Sequence, residues 1–286
     1  MTEIIRAQYA VAGNPIEHSR SPFIHRLFAE QTGEPIEYGR LLCPLDAFVP
    51  TLREFAEGGG AGCNVTVPFK LEALKAAARS SPRAALAQAA NWLRFEADGW
   101  SADNTDGAGL VRDIEVNAGR KLAGQRVLLL GAGGAAAGAL GPLLEALPAQ
   151  IVVANRTADK ARALVERHQA LADGLSVPIA LAPLSNAIAE SHAPFDVVIN
   201  ATASSLGNAA ISIPGSVVAR DALVLDMMYG PAAQPFLNWA TSQGAQARDG
   251  LGMLLEQAAE AFFLWRGIRP DTAPVLHALQ TTSTKS

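Results

Sequence analysis

The chain of 286 residues carries 27 acidic and 23 basic residues, a formal net charge of −4, with 49% of residues hydrophobic and 17% charged. These values exclude a disordered chain and a broad basic nucleic-acid surface, and they leave room for two domains of ordinary size. The two cysteines, Cys43 and Cys63, lack metal-ligand spacing and read as reduced, buried thiols of an intracellular protein.

The opening "MTEIIRAQYAV" has no long apolar signal-peptide core, and no later run is long and polar-free enough to span a bilayer. A cytoplasmic protein is expected. "AQYAVAG" reads as a first strand ending at Gly13, and residues 22–31 have helical apolar spacing. "IEYGRLLC" reads as a second strand and "LDAFVPTLREFAEGG" as a helix. "GCNVTVPF" follows as a third strand and "KLEALKAAA" as an alanine-rich helix. The alternation is that of a layered α/β domain. "NWLRFEADGWSAD" reads as a hairpin turning at Asp98 and Gly99.

A linking helix in "NTDGAGLVRDIEVNAG" separates this half from one of different character. "QRVLLLGAGGAAAGALGPLLEAL" is a buried strand, a glycine turn and a small-residue helix. "AQIVVANRTADKARALVERH" repeats the unit, and "FDVVINATASS" and "ALVLDMMY" supply two more strands. These units predict a doubly wound sheet from about residue 110 to 245. A strong helix follows in "GMLLEQAAEAFFLWRG", and the tail "TTSTKS" is expected to fray.

The glycine turn "GAGGAAAG" carries the first functional signal. Gly131, Gly133, Gly134 and Gly138 follow a buried strand and open a helix, with Ala132 and Ala135 between them. Glycine permits a tight turn and close approach of a pyrophosphate, whose charge is met by N–H groups at the helix N-terminus. The spacing departs from the simple dinucleotide pattern, because Ala136 stands in the sixth place. NAD sites commonly place an acid at the end of the next strand, about 20 residues on. Here the end reads "VVANRTADK". Asn155 can bond a ribose without adding charge, Arg156 and Lys160 can pair with an extra phosphate, and Thr157 can cap the helix or reach that phosphate. NADP is favoured over NAD.

The first half offers groups for the other partner in a hydride transfer. Ser19 and Ser21, in "GNPIEHSRSPFIH", could bind a carboxylate or simply cap a helix. Asn64 and Thr66 stand two residues apart on a strand and so share one face, with Lys70 just beyond. Asp106, after Asn104 and Thr105, could cap a helix or orient Lys70. Lys70 and Asp106 are the obvious groups for alcohol–ketone proton transfer. The five histidines form no metal constellation.

In order along the chain, "YAVAGNPIEHSRSPFIH", "CNVTVPFK", "ADNTDGAG", "GAGGAAAG", "NRT", "NATASS" and "DGLGMLLEQA" resemble the shikimate dehydrogenase family. The resemblance spans Tyr9 to Ala258. It implies an N-terminal α/β substrate-binding domain, a doubly wound Rossmann-type NADP-binding domain, and a cleft between them. The boundaries expected are 1–106, 107–249, and a C-terminal helical segment 250–286 that packs back on the substrate domain. It further implies NADP-linked reduction of 3-dehydroshikimate to shikimate, with Lys70 and Asp106 catalytic. Ser19 and Ser21 would take the substrate carboxylate. Asn64, Thr66, Asn91, Asp106 and Gln257 would position the ring hydroxyls, with Tyr229 near the cleft. Gly131, Ala132, Gly133, Gly134, Ala135, Asn155, Arg156, Thr157 and Lys160 would hold the cofactor's phosphates and ribose. Ala201, Thr202, Met227, Gly250 and Met253 would border the nicotinamide.

Two positions depart from the family pattern. Trp92 stands where a threonine usually follows Asn91, and fills space or narrows the cleft. The "NATASSLGN" loop departs from the common glycine-containing version after Asn200, Ala201 and Thr202, so no catalytic role is assigned to Ser204 or Ser205. The expected partner is a small molecule, 3-dehydroshikimate or shikimate, with no nucleic acid, membrane or metal, in a monomer or homodimer. Two alternatives stay open: a quinate/shikimate dehydrogenase of wider substrate or cofactor range, and a non-catalytic NADP-binding regulatory protein.

Overall fold

The computed structural model describes residues 6–185, 188, 193–202 and 213–283. The chain divides into two compact units, Met1–Gly109 with Leu255–Ser286, and Leu110–Leu254.

The first unit is built on a six-stranded mixed sheet. Its strands are β1 (Ala7–Gly13), β2 (Ile36–Leu42), β3 (Gly60–Val65), β4 (Arg79–Ser80), β5 (Trp92–Arg94) and β6 (Ser101–Asp103), in the order β2-β1-β3-β5-β6-β4. β1 is parallel to both of its neighbours, whereas β5 runs antiparallel to β3 and to β6. The β5–β6 pair is the hairpin expected from Asp98 and Gly99, its turn closed by Gly99 N–H donating to Glu96 O at 3.1 Å.

Strand alternation sends Ala12, Cys63 and Val65 to one face, where they pack with Phe48, Leu52 and Phe69. The Phe48 and Phe69 rings stack at 4.5 Å. Cys43 and Cys63 are free thiols in this same core. Helix Leu251–Arg266 is tied to β5: Trp92 Nε1 donates to Ala261 O at 3.2 Å, and Trp265 Nε1 donates to Leu93 O at 3.1 Å. Trp92 is buried, with its ring stacked 5.8 Å from that of Trp265. Its bulk therefore serves packing between strand and helix.

β3 is shorter than the alternating pattern suggests. It ends at Val65, and Thr66 already begins the turn that leads into helix Lys70–Ala76, with Phe69 N–H donating to Thr66 O at 3.1 Å. Val67, which would share the buried face of Val65 if the strand ran on, is 63% exposed. Thr66 therefore does not continue the strand face of Asn64. Of the "TTSTKS" tail expected to fray, the first half belongs to helix Ala273–Ser283, and residues 284–286 lie outside the described residues.

The second unit is a six-stranded, wholly parallel sheet of β7 (Arg126–Leu130), β8 (Gln150–Asn155), β9 (Ile179–Pro183), β10 (Phe195–Asn200), β11 (Val218–Asp226) and β12 (Gln246–Arg248). The order is β12-β11-β10-β7-β8-β9. From β7 the chain winds outward through β8 and β9, then returns to β10 on the other side of β7. This places a topological switch point between β7 and β10, where doubly wound sheets open a crevice at the carboxyl ends of their strands. Val127 to Leu130 of β7 are fully buried, as a central strand covered on both faces requires. Among the described residues, no helix is long and apolar enough to cross a membrane.

Candidate active site

In the second unit the glycine turn lies at the end of β7. Gly131 has φ +109°, and a Cβ there would lie 3.0 Å from Ala201 O on the neighbouring strand end. A Cβ at Gly133 or Gly134 would meet nothing within 4 Å. The turn is thus closed toward β10 and open at the N-terminus of helix Gly134–Glu145. Open backbone at a helix N-terminus fits a pyrophosphate. Ala132 is half-buried and Ala135 exposed on the same turn.

At the end of β8, Asn155 Nδ2 donates to Thr157 O at 2.9 Å, which shapes the loop into helix Ala158–Leu175. Thr157 holds the N-cap position, but its side chain makes no cap bond, so the capping role read from the sequence is not used. Arg156, Thr157 and Lys160 are all exposed. At the next crossover Asn200 Nδ2 donates to Asp226 Oδ2 at 2.9 Å, and Thr202 donates from N and Oγ1 to Asn200 Oδ1 at 3.0 and 2.7 Å. These bonds fix Ala201 and Thr202 beside β7. Met227 packs against the core that buries Met253, Tyr229 is half-buried, and Gly250 N–H donates to Met228 O at 2.8 Å. Ser204 and Ser205 lie outside the described residues.

The first unit gathers the polar residues. Lys70 opens its helix and donates from Nζ to Asp106 Oδ2 at 2.6 Å. Their side chains are 29% and 10% exposed, so the pair is largely withdrawn from water. Asn91 Nδ2 bonds the second carboxylate oxygen, Asp106 Oδ1, at 2.8 Å and Thr105 Oγ1 at 3.0 Å, and lies 3.3 Å from Gln257 Oε1. Asn91 Oδ1 accepts from Thr105 N at 2.8 Å. Asn104 takes the local work at the start of helix Asp106–Arg112, accepting from Asp106 N at 3.1 Å. The Asp106 carboxylate is therefore not engaged in capping and faces Lys70 and Asn91.

Asn64 joins the same set through Nδ2, which donates to Asn91 O at 3.2 Å. Ser19 Oγ accepts from Ser21 N at 3.3 Å, a turn bond that pairs the two serines at the head of helix Ser21–Thr32. Lys70, Asp106, Asn91, Gln257 and Asn64 thus form one connected cluster. Tyr229 belongs to the other unit. Two participants escaped the sequence reading. Tyr38 donates to Asn64 Oδ1 at 2.6 Å. Arg83 binds Asp103 through two nitrogens at 2.7 and 2.9 Å and Glu260 at 3.1 Å, bracing the segment before Asn104. A tyrosine in a strand and an arginine on a short helix carry no signal of their own. Among the described residues, no His, Cys, Asp and Glu group could hold a metal ion.

A doubly wound sheet with an open glycine turn is the architecture of a dinucleotide-binding protein, and the Lys70–Asp106 pair on a separate α/β unit offers groups chemically suited to proton transfer. Residues 11–93 match a family described as the shikimate dehydrogenase substrate binding domain. Residues 114–210 match shikimate / quinate 5-dehydrogenase, and residues 250–280 match the shikimate 5'-dehydrogenase C-terminal domain. The chain is 60% identical to a protein named shikimate dehydrogenase (NADP(+)) from Methylibium petroleiphilum, over 96% of this chain and 94% of that one. The solved structure of an Ael1 enzyme from Pseudomonas putida is similar with TM-score 0.87 and 45% identity, over 96% and 98% of the two chains. Shikimate 5-dehydrogenase from Thermus thermophilus, solved with NADP(H) and shikimate, is similar with TM-score 0.81 and 30% identity, over 96% and 99%. The chain belongs to the shikimate dehydrogenase family.

Proposed function

We propose that this chain catalyses the reversible NADP-linked reduction of 3-dehydroshikimate to shikimate, a step of the shikimate pathway toward chorismate and the aromatic amino acids. The observation that carries this reading is the Lys70–Asp106 pair at 2.6 Å, set among the amides of Asn91, Asn64 and Gln257. NADPH, when bound, supplies the hydride. Lys70 hydrogen-bonds the reacting C3 oxygen, stabilises its developing negative charge and hands it a proton. Asp106 aims the ammonium and bonds a neighbouring hydroxyl.

Ser19 and Ser21 take the substrate carboxylate, while Asn64, Thr66, Asn91 and Gln257 take ring hydroxyls, and Tyr229 serves the substrate from the second unit. The glycine turn Gly131–Ala135 receives the pyrophosphate. Asn155, Arg156, Thr157 and Lys160 receive the ribose and its extra phosphate. Ala201, Thr202, Met227, Gly250 and Met253 border the nicotinamide. In functional terms the chain divides into 1–106 for substrate, 107–249 for NADP, and 250–286 in support of the substrate domain. The protein works in the cytoplasm as a monomer or homodimer, on a small-molecule substrate and without nucleic acid.

The match to a shikimate / quinate family makes quinate the second substrate to test. Steady-state oxidation of shikimate and quinate, each with NADP and with NAD, decides between them. Shikimate with NADP should exceed the other pairs in kcat/KM by about tenfold or more. A preference for quinate with NAD would overturn the assignment. NADP binding with no turnover of either alcohol would instead point to a regulatory protein.

A further inference from the structure

Tyr38 lies on β2, and β1 separates it from β3. The register aligns Tyr9 with Tyr38 on one side and with Gly62 on the other, and Asn64 is two residues beyond Gly62. Strand alternation therefore puts Tyr38 and Asn64 on the same sheet face, opposite the face that carries Cys63 and Val65. The phenol spans the intervening strand to donate to Asn64 Oδ1 at 2.6 Å.

The ring that carries this hydroxyl has a fixed seat. It stacks on His25 with centroids 4.1 Å apart and planes 4° from parallel. His25 is fully buried on the helix that Ser21 opens, and it also packs against Phe262 and Trp265 of the helix that bears Gln257. One aromatic cluster thus ties β2 to the two helices that carry Ser21 and Gln257. Burial holds the Tyr38 phenol well above its ordinary pKa, with nearby Cys63 adding to the rise and a hydrogen bond with Ser21 opposing it. It stays a protonated donor at neutral pH.

The accounting at Asn64 shows what the phenol does. A carboxamide has two N–H donors and two acceptor sites on oxygen. Tyr38 occupies one acceptor site, and Asn91 O accepts one N–H at 3.2 Å. Held from both ends, the amide has neither a free swing nor a choice of flip. Its second N–H and second lone pair keep a fixed direction.

We propose that Tyr38 is a positioning residue for substrate recognition, locking the Asn64 carboxamide so that its remaining donor and acceptor meet a ring hydroxyl of the substrate. This rests on the reading of Asn64 as a shikimate contact. Because the phenol acts through Asn64 and not on the reacting oxygen, its loss should be felt in substrate binding and little in turnover.

Tyr38→Phe keeps the ring and its stack on His25 and removes only the hydroxyl. It should raise the shikimate KM about five- to tenfold, while kcat stays within about twofold. The KM for NADP and the melting temperature should hardly move. Asn64→Ala should raise the shikimate KM at least as much, and the double variant should be no worse than Asn64→Ala alone. An unchanged KM in Tyr38→Phe beside an impaired Asn64→Ala would overturn the positioning role and leave the Asn64 reading standing. Fully multiplicative effects in the double variant would overturn it equally, since Tyr38 would then act independently of Asn64. A wild-type KM in Asn64→Ala would remove both the Asn64 assignment and the proposal built on it.

Discussion

A Cβ on Gly109 would lie 2.6 Å from the backbone nitrogen of Gln257 and 2.8 Å from its Cα. Two helix backbones meet here with no side chain between them, one carrying Asp106 and the other Gln257. That close approach lets the Gln257 carboxamide oxygen come within 3.3 Å of both Asn91 Nδ2 and Thr105 Oγ1. Gly109→Ala must push the helices apart, because the opposing atoms are backbone and have no rotamer in which to retreat. The substitution should cost about 1–3 kcal/mol of stability, as overpacking does. It should also lower kcat/KM for shikimate by about tenfold or more, with NADP affinity nearly unchanged. Urea unfolding and initial-rate kinetics on the same preparation check both; full activity would show that Gln257 tolerates the displacement.

The Lys70–Asp106 pair supplies the sharpest catalytic test. Lys70→Ala removes the only cation bonded to Asp106 among the described residues and should lower kcat by about 10²–10⁴. Asp106→Asn keeps the shape but gives up the charge that aims Lys70, and it turns one acceptor into a donor facing Lys70 or Asn91. It should lower kcat by about tenfold or more, with NADP binding intact. Near-normal turnover in Lys70→Ala would remove Lys70 from the chemistry.

The sequence carried most of the architecture because the large elements have clean periods and clear ends. β1, β7 and β8 are apolar runs stopped by glycine or by a polar loop, and the helix from Leu251 follows a glycine and runs for 16 residues. The elements that were not legible are short or lack a pattern. β4 has two residues and β12 three, and each exists because a neighbouring strand offers an edge. β9 reads "IALAP", too brief and too mixed to separate from a loop without β8 beside it. Lys70 and Asp106 are 36 residues apart, and only their chemistry suggested partnership; no local pattern encodes that distance. Tyr38 was invisible for the opposite reason, since a tyrosine in a strand is an ordinary β-former until its hydroxyl is found on Asn64. The Trp92 departure is resolved by tertiary packing, because its indole bonds Ala261 O across 169 residues of chain.

Cofactor preference should follow the exposed basic loop after β8. Arg156 and Lys160 stand at the start of helix Ala158–Leu175, and Asn155 keeps its amide on Thr157 O. Arg156→Ala should raise the KM for NADP by about 10- to 100-fold, the loss expected for a charge-assisted bond to phosphate. The KM for NAD, which lacks that phosphate, should change by less than about threefold. Equal losses with both cofactors would mean that Arg156 supports the loop and does not read the phosphate.

Acid stability should depend on His25. Burial pushes its imidazole down to about 3 from the ordinary 6.5, with the nearby polar Asn64 side chain opposing only in small part, and neither ring nitrogen has a hydrogen-bond partner among the described residues. Between those values the unfolded chain takes up a proton at this position and the folded protein does not, so unfolding is favoured as pH falls. Above 6.5 the residue adds no pH dependence, and below about 3 its penalty is complete. Within the window it can remove at most about 1.4 kcal/mol of stability per pH unit. His168, also lowered by burial, acts in the same direction and remains as a background in any His25 variant. His25→Phe keeps an aromatic ring against Tyr38 and has nothing to protonate. Urea unfolding at steps from about pH 7 to about pH 4 should therefore show a shallower decline for His25→Phe than for the unaltered protein. Parallel declines would mean that His25 takes up its proton in the folded state, with the aromatic cluster opening to water to admit the charge.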